Sequence, residues 1–391
     1  MLEKMYRQLE KNEKEIIGIR RHLHMNPELS FEEIETPAFI EKYLQNLGIE
    51  DIRTGVGGRG VVASIKGNGN GRCVALRADF DALPIQDEKQ VEYASKIPGV
   101  MHACGHDAHT ASLLGVAKVA QENRDDFSGE IRLIFQHAEE VQPGGAKSMI
   151  EDGCLKDVDV IFANHMASEI PIGTAGYGFG PIMANSDFFS INIQGKGGHA
   201  AYPHGTIDPI VAGTNIVQAF QQIVSRRVKP INPAVLSVTK FNAGTAFNII
   251  PDTLILGGTV RTYDEATQSL IIKAMEDVLK SIATMSGITY QFEYTKGYPA
   301  AVNTNGETNM IKKCIDAAGL KSIEITPRMG GEDFAYYLQK VPGSFFYTGA
   351  GNAGKGIVYP HHHPRFDIDE SSILYASKIL LTVAITYLEG N

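Results

Sequence analysis

Apolar and polar positions along the chain follow two rhythms that alternate. At the N-terminus, Leu2, Met5, Leu9 and Ile16 recur at roughly helical spacing among charged residues, which predicts an amphipathic helix over 1–20. Ser30, Phe31, Glu32 and Glu33 have the form of a capping box, with a serine to bond an amide of the first turn and a glutamate to reach back. An amphipathic run through Phe39, Ile40, Tyr43, Leu44 and Leu47 follows. Strand-like runs then appear at 60–65, 73–77, 130–135 and 158–163, with a helical run at 109–121 between the second and third. Strands alternating with helices predict a mainly parallel sheet flanked by helices.

The rhythm changes near Ser186. Strand 187–194, helix 207–227, strands 234–242 and 253–263, helix 265–286 and strand 288–294 follow in order, with Gly287 as a helix stop. That order is the split βαβ, ferredoxin-like pattern. After Gly297 the alternation resumes, with helices at 308–318 and 332–340, a strand at 344–348 and a last helix at 371–388. The expected organisation is an α/β domain made of residues 1–186 and 298–391, with an α+β domain inserted over 187–297. A chain of 391 residues exceeds one ordinary core, which agrees with two domains.

Composition narrows the function. Basic residues number 36 against 45 acidic ones and form no cluster, so nucleic acid is an unfavourable partner. No apolar run reads as long enough to cross a bilayer, and nothing at the N-terminus has the form of a signal peptide. Cys73, Cys104, Cys154 and Cys314 lie far apart, against a disulfide framework and in favour of a reducing, cytoplasmic setting. Gly55, Gly57 and Gly60 fit the dinucleotide fingerprint literally, but a strand rather than a helix follows them, so the pyrophosphate would meet no helix N-terminus.

Chemistry-bearing residues gather where the predicted strands end. Asp79 and Asp81 follow the strand 73–77, and His102, Cys104, His106, Asp107 and His109 crowd the loop before a helix. Glu139 and Glu140 follow 130–135, His165 follows 158–163, and His361, His362 and His363 come a loop after 344–348. A lone loop histidine is usually solvated, and a Glu–Glu pair usually lies on the surface. Carboxyl ends of parallel strands share one rim, however, and four strands deliver histidine, cysteine and carboxylate there together. Such a set suits zinc, manganese or cobalt, the thiolate favouring zinc. If Glu139 and Glu140 lie in an extended segment they point opposite ways, one to a metal and the other to the activated water.

The stretch Met101–His102–Ala103–Cys104–Gly105–His106–Asp107–Ala108–His109, with Phe135–Gln136–His137–Ala138–Glu139–Glu140, resembles the co-catalytic metallopeptidases. That family includes aminoacylase, carboxypeptidase G, hippurate hydrolase and the plant auxin-conjugate amidohydrolases, and the likeness is nearest the last two. It extends from Arg20–Arg21–His22–Leu23–His24 to Asp369–Glu370, with His137 standing where a proline is usual. The resemblance implies hydrolysis of the amide bond of N-acyl amino acids or small peptides, in a dinuclear aminopeptidase-like catalytic domain. It places Cys104, His106, Glu140, His165 and His362 as ligands of two divalent ions and Glu139 as general base. It makes Asp81 a residue that orients a histidine, and leaves Asp79 without a ligand role.

In the inserted domain, a lid and dimer contact in this family, the resemblance implies that His199 stabilises the oxyanion and that Asn248 and Arg261 bind substrate. A guanidinium fork suits a substrate carboxylate. Glu332, at the start of a predicted helix, reads equally as a capping carboxylate or a site residue. A thiolate ligand at Cys104 would make activity sensitive to oxidation as well as to chelators.

Overall fold

The computed structural model describes residues 1–390. The chain divides into two compact units, one formed by Met1–Ile182, Val302–Thr326 and Asp333–Asn391, the other by Met183–Ala301 with Pro327–Glu332.

The first unit opens with helices α1 (Leu2–Met25) and α2 (Glu35–Asn46). Strands β1 (Asp51–Val56), β2 (Gly60–Lys66) and β3 (Cys73–Asp79) precede helix α3 (His106–Glu122). Strands β4 (Glu130–Gln136), β5 (Val160–Pro171) and β6 (Thr174–Tyr177) follow. The second unit holds β7 (Asp187–Gln194), α4 (Pro209–Arg226), β8 (Ala234–Ala243), β9 (Thr253–Thr262), α5 (Glu265–Ser286) and β10 (Thr289–Thr295). Helix α6 (Asn305–Ala317), β11 (Lys321–Glu324), β12 (Gly343–Gly351) and helix α7 (Ser371–Glu389) complete the first unit.

The large sheet runs β1-β2-β4-β3-β5-β12-β6-β11 and is mixed. Strands β4, β3, β5 and β12 are mutually parallel at its centre, and β6 pairs β11 in parallel. The pairs β1–β2, β2–β4 and β12–β6 are antiparallel. A mainly parallel sheet is therefore right for the centre only. The tight connection from β1 to β2 permits nothing but an antiparallel pair.

β3 is buried along its whole length, which requires cover on both faces. Val74, Leu76 and Ala78 enter the main apolar core with residues of α1, α3 and α7, while Arg77 and Asp79 face the other way. Helix α7 is long and apolar enough to span a bilayer, contrary to the reading of the sequence. Its buried residues pack instead among α1, α3 and α6, so the apolar length serves the core.

The second unit has its own core beneath an antiparallel sheet ordered β8-β9-β7-β10, with α4 and α5 packed on it. Asp208 caps α4 by accepting from the amides of Ile210 and Val211, and Gly287 ends α5 at φ 77°, as a helix stop requires.

Three local expectations fail. The predicted capping box does not form. Helix α2 starts only at Glu35, and the Glu28 carboxylate takes the amides of Ile34, Glu35 and Thr36. The helix expected at 332–340 shrinks to Ala335–Leu338. Helix α3 begins at His106, three residues earlier than its apolar rhythm shows, because Gly105 at φ 92° turns the chain into it.

Candidate metal centre

The site is built at the carboxyl rim of the parallel strands in the first unit. Asp79 ends β3 and Asp81 lies two residues beyond it. The first turn of α3 carries His106, Asp107 and His109 immediately after Cys104. Glu139 and Glu140 lie in a bend just past β4, and His165 is within β5 rather than after it. Ala138 at φ 52° breaks the extension of β4. Successive side chains therefore do not alternate there, and both carboxylates come close to His106 instead of pointing opposite ways.

Donor atoms converge in overlapping sets, all atoms of a set lying within 4.8 Å of one another. One set is Cys104, His106 and His165; another is Cys104, Glu140 and His362; a third is His106, Glu139 and Glu140. The Cys104 sulfur lies 3.5 Å from His165 Nε2. His362 Nε2 lies 3.3 Å from Glu140 Oε1. The two neighbouring histidines are occupied differently: His361 faces Glu169 at 3.6 Å, and the His363 ring stacks on Tyr359. Of the three, His362 alone adopts a left-handed backbone, at φ 63°.

The donor types fit divalent metal ions, and Cys104 is common to two of the sets that would hold them. His106 Nε2 is buried and makes no hydrogen bond, while Nδ1 of the same ring lies 3.1 Å from Asp81 Oδ1 and 3.0 Å from the Asp81 carbonyl oxygen. Both of those oxygens only accept, so Nδ1 carries the proton and the Nε2 lone pair is left for a cation. Burial alone would lower the His106 pKa, but Asp79, Asp81 and Glu140 push it up to about 10. A pocket that holds a proton so tightly favours a divalent cation for the same electrostatic reason.

His165 behaves oppositely: burial, reinforced by His109 and His361, holds it well below the usual imidazole range and therefore neutral, as a ligand must be. Burial, then Glu140 and Glu139, push the Cys104 thiol well above its usual value. Without metal it is a protonated, sluggish thiol.

Several residues that support the site were either left without an assigned role in the sequence reading, as Asp79 and His109 were, or not singled out by it. Asp79 receives His109 Nδ1 at 2.6 Å and Arg77 Nη1 at 2.6 Å. His109 Nε2 accepts the amide of Met166, the residue after His165. With both ring nitrogens engaged, His109 is a brace rather than a ligand. Arg77 Nη2 also pairs with Asp333, which accepts from Gln136 and the Ala146 amide. Helix α1 contributes Arg20, whose Nε lies 2.8 Å from Asp107 Oδ2, and His24, whose Nδ1 lies 2.7 Å from the same oxygen. A charged residue inside an otherwise apolar strand (Arg77) or on the buried face of a helix (Arg20) was the available signal. Both are fully buried, which long charged side chains almost never are unless paired.

The residues expected to touch substrate belong to the second unit. His199 pairs across a short ladder with Ile249, and both His199 and Asn248 are exposed. Arg261 is half-buried, with its guanidinium over the Phe188 ring and long 3.4 Å bonds from Nη1 to the carbonyls of Asp187 and Val260. Burial lowers its pKa despite Asp187.

An α/β unit whose central strands bring three overlapping sets of histidine, cysteine and carboxylate donors to one rim carries a candidate dinuclear centre and belongs to a metal-dependent hydrolase. The chain belongs to the peptidase family M20/M25/M40, whose family model matches residues 75–386. It is 44% identical over 379 residues to an N-acetyl-L-cysteine deacetylase of Bacillus subtilis, covering 97% of this chain and 89% of the relative. It is 39% identical over 379 residues to IAA-amino acid hydrolase ILR1-like 4 of Arabidopsis thaliana, covering 95% and 86%. Among solved structures, the YXEP protein of Bacillus subtilis, described as a dinuclear metal-binding peptidase of this family, superposes with a TM-score of 0.86 at 36% identity. That match covers 97% of this chain and 99% of the solved one.

Proposed function

We propose that this protein hydrolyses the amide bond of N-acyl amino acids, with Cys104, His106, Glu140, His165 and His362 holding two divalent ions and Glu139 as general base. The sharing of Cys104 between two donor sets, with Glu139 beside them, is the observation that carries the reading. Zinc is the favoured ion because a thiolate is a soft ligand. Two bound ions supply Lewis-acid polarisation of the carbonyl and lower the pKa of water at the site.

Glu139 takes one proton from that water as its oxygen adds to the carbonyl carbon. It then returns the proton to the nitrogen as the C–N bond breaks, releasing a carboxylic acid and an amino acid. Asp81 keeps His106 in the tautomer that points Nε2 at the cluster. In the second unit, a ferredoxin-like domain in this reading, Arg261 and Asn248 bind substrate and His199 stabilises the oxyanion. The names of the two enzyme relatives, one acting on an acetylated and the other on an IAA-conjugated amino acid, support an N-acyl amino acid as the common substrate class.

The test is a hydrolysis screen over acetyl-, benzoyl- and indoleacetyl-amino acids, with zinc, manganese and cobalt supplied in turn and unblocked dipeptides alongside. Faster turnover of the free dipeptides would replace this reading with a dinuclear aminopeptidase. No turnover of any substrate, with metal bound, would make the chain a metal-binding protein only.

A further inference from the structure

The residues that looked like a helix cap at 30–33 are drawn away from helix α2 and spent on the metal centre. Ser30 Oγ donates to Asp81 Oδ2 at 2.6 Å. The same oxygen accepts the backbone amide of Glu140 at 3.0 Å, while Asp81 Oδ1 faces His106. Ser30 is thus one hydrogen bond removed from two residues placed among the metal ligands. Three residues on, buried Glu33 accepts the Ala138 amide at 2.9 Å, inside the left-handed bend that delivers Glu139 and Glu140.

The segment itself is anchored. The Ala82 amide donates to the Glu28 carbonyl at 2.8 Å, and Leu29 bridges Ala82 in parallel. The Glu28 carboxylate caps α2 in place of Ser30, which frees the serine.

We infer that Ser30 and Glu33 are positioning residues of the metal centre: Ser30 fixes the Asp81 carboxylate, and through it His106 and Glu140, while Glu33 fixes the bend that carries Glu139 and Glu140. A buried carboxylate free to rotate about χ2 offers a histidine several orientations. A hydroxyl and an amide on one of its oxygens leave one. That arrangement fixes the histidine tautomer before any metal arrives, so it acts on metal affinity as well as on turnover.

This inference rests on the metal reading of the site, and the experiment separates the two. Zinc and manganese affinities of the full-length, metal-free protein are measured by equilibrium dialysis for the wild type, Ser30→Ala and Ser30→Thr. The temperature is kept well below the melting of all three, and melting of the metal-free forms is recorded in parallel. Ser30→Ala is expected to bind metal about tenfold more weakly. Its kcat should fall by a similar factor with KM little changed, and Ser30→Thr, which keeps the hydroxyl, should recover most of both. Metal affinity of Ser30→Ala within twofold of the wild type would overturn the inference, whatever its melting temperature. A tenfold loss that Ser30→Thr does not recover would also overturn it. A wild-type chain that binds neither ion would instead sink the metal reading, and this inference with it.

Discussion

The two units treat their polar residues in opposite ways. At the rim of the first, the groups behind the donor sets are buried and engaged: Asp79, Asp81, His106, Asp107 and His109 are all almost fully enclosed. Each is braced by a neighbour, in chains such as Ser30–Asp81–His106 and Arg77–Asp79–His109. In the second unit, His199 and Asn248 are exposed, and Arg261 makes only long bonds to carbonyl oxygens. A metal centre must hold its donors in place before the ion arrives, because several like charges gathered in a low dielectric repel one another unless hydrogen bonds fix them. Groups that recognise a substrate can stay in water and exchange it for the ligand. Buried, hydrogen-bonded bracing behind His106 thus marks the side that would hold metal, although His362 is itself exposed and Cys104, Glu140 and His165 are only part-buried.

Four results would break or sharpen that contrast. Glu139→Gln should lower kcat by about 10²–10⁴-fold, the usual weight of a positioned general base, with metal content by elemental analysis unchanged. Retained turnover would remove Glu139 as the base. Arg20→Met should destabilise the metal-free protein by about 3–5 kcal/mol in chemical denaturation, since it takes the guanidinium from the fully buried Asp107 and leaves that carboxylate only His24. A loss under about 1 kcal/mol would show that the first unit does not depend on its bracing.

The pH dependence follows from the same pair. Burial would raise the Asp107 pKa, but Arg20 and His24 reverse this and hold it well below the usual carboxylate range. Asp367 is likewise kept low against burial by Arg20 and Tyr93. A depressed carboxyl contributes stability that is complete above its unfolded pKa of about 3.9 and is lost as pH falls through the folded value. The metal-free protein should therefore keep this stability down to about pH 4 and lose it below, and Arg20→Met should flatten that acid limb. An unchanged limb in urea titrations between pH 5 and 2.5 would count against the pairing.

The smallest effect on the fold is expected in the second unit. Arg261→Ala should raise KM for an N-acyl amino acid by about 10–100-fold, as loss of a charge-assisted bond does, with melting and metal content unaltered. A fall in metal content would erase the distinction between the units.

How much of this could be read from the sequence depends on the range of the physics involved. The second unit's element order follows from local periodicity and its caps, as Asp208 and Gly287 illustrate. The family was legible because the residues from Met101 to His109, and the Glu139–Glu140 pair, form contiguous motifs. Periodicity could not see that β4 ends in a left-handed bend at Ala138, since no glycine marks it. Nor could it distinguish a capping serine from one that bonds a carboxylate 51 residues away.

Sequence alone, then, determined the two rhythms, the donor types and their delivery to strand ends, because these depend on neighbours in the chain. Tertiary structure alone decided that Glu139 and Glu140 both come close to His106, and it brings His362, the histidine the family resemblance picks, within 3.3 Å of Glu140. It also decided that Ser30 serves the site rather than a helix. Each of these is set by burial and by partners distant in the chain, and a hydrogen bond or a desolvated charge has no signature in local spacing.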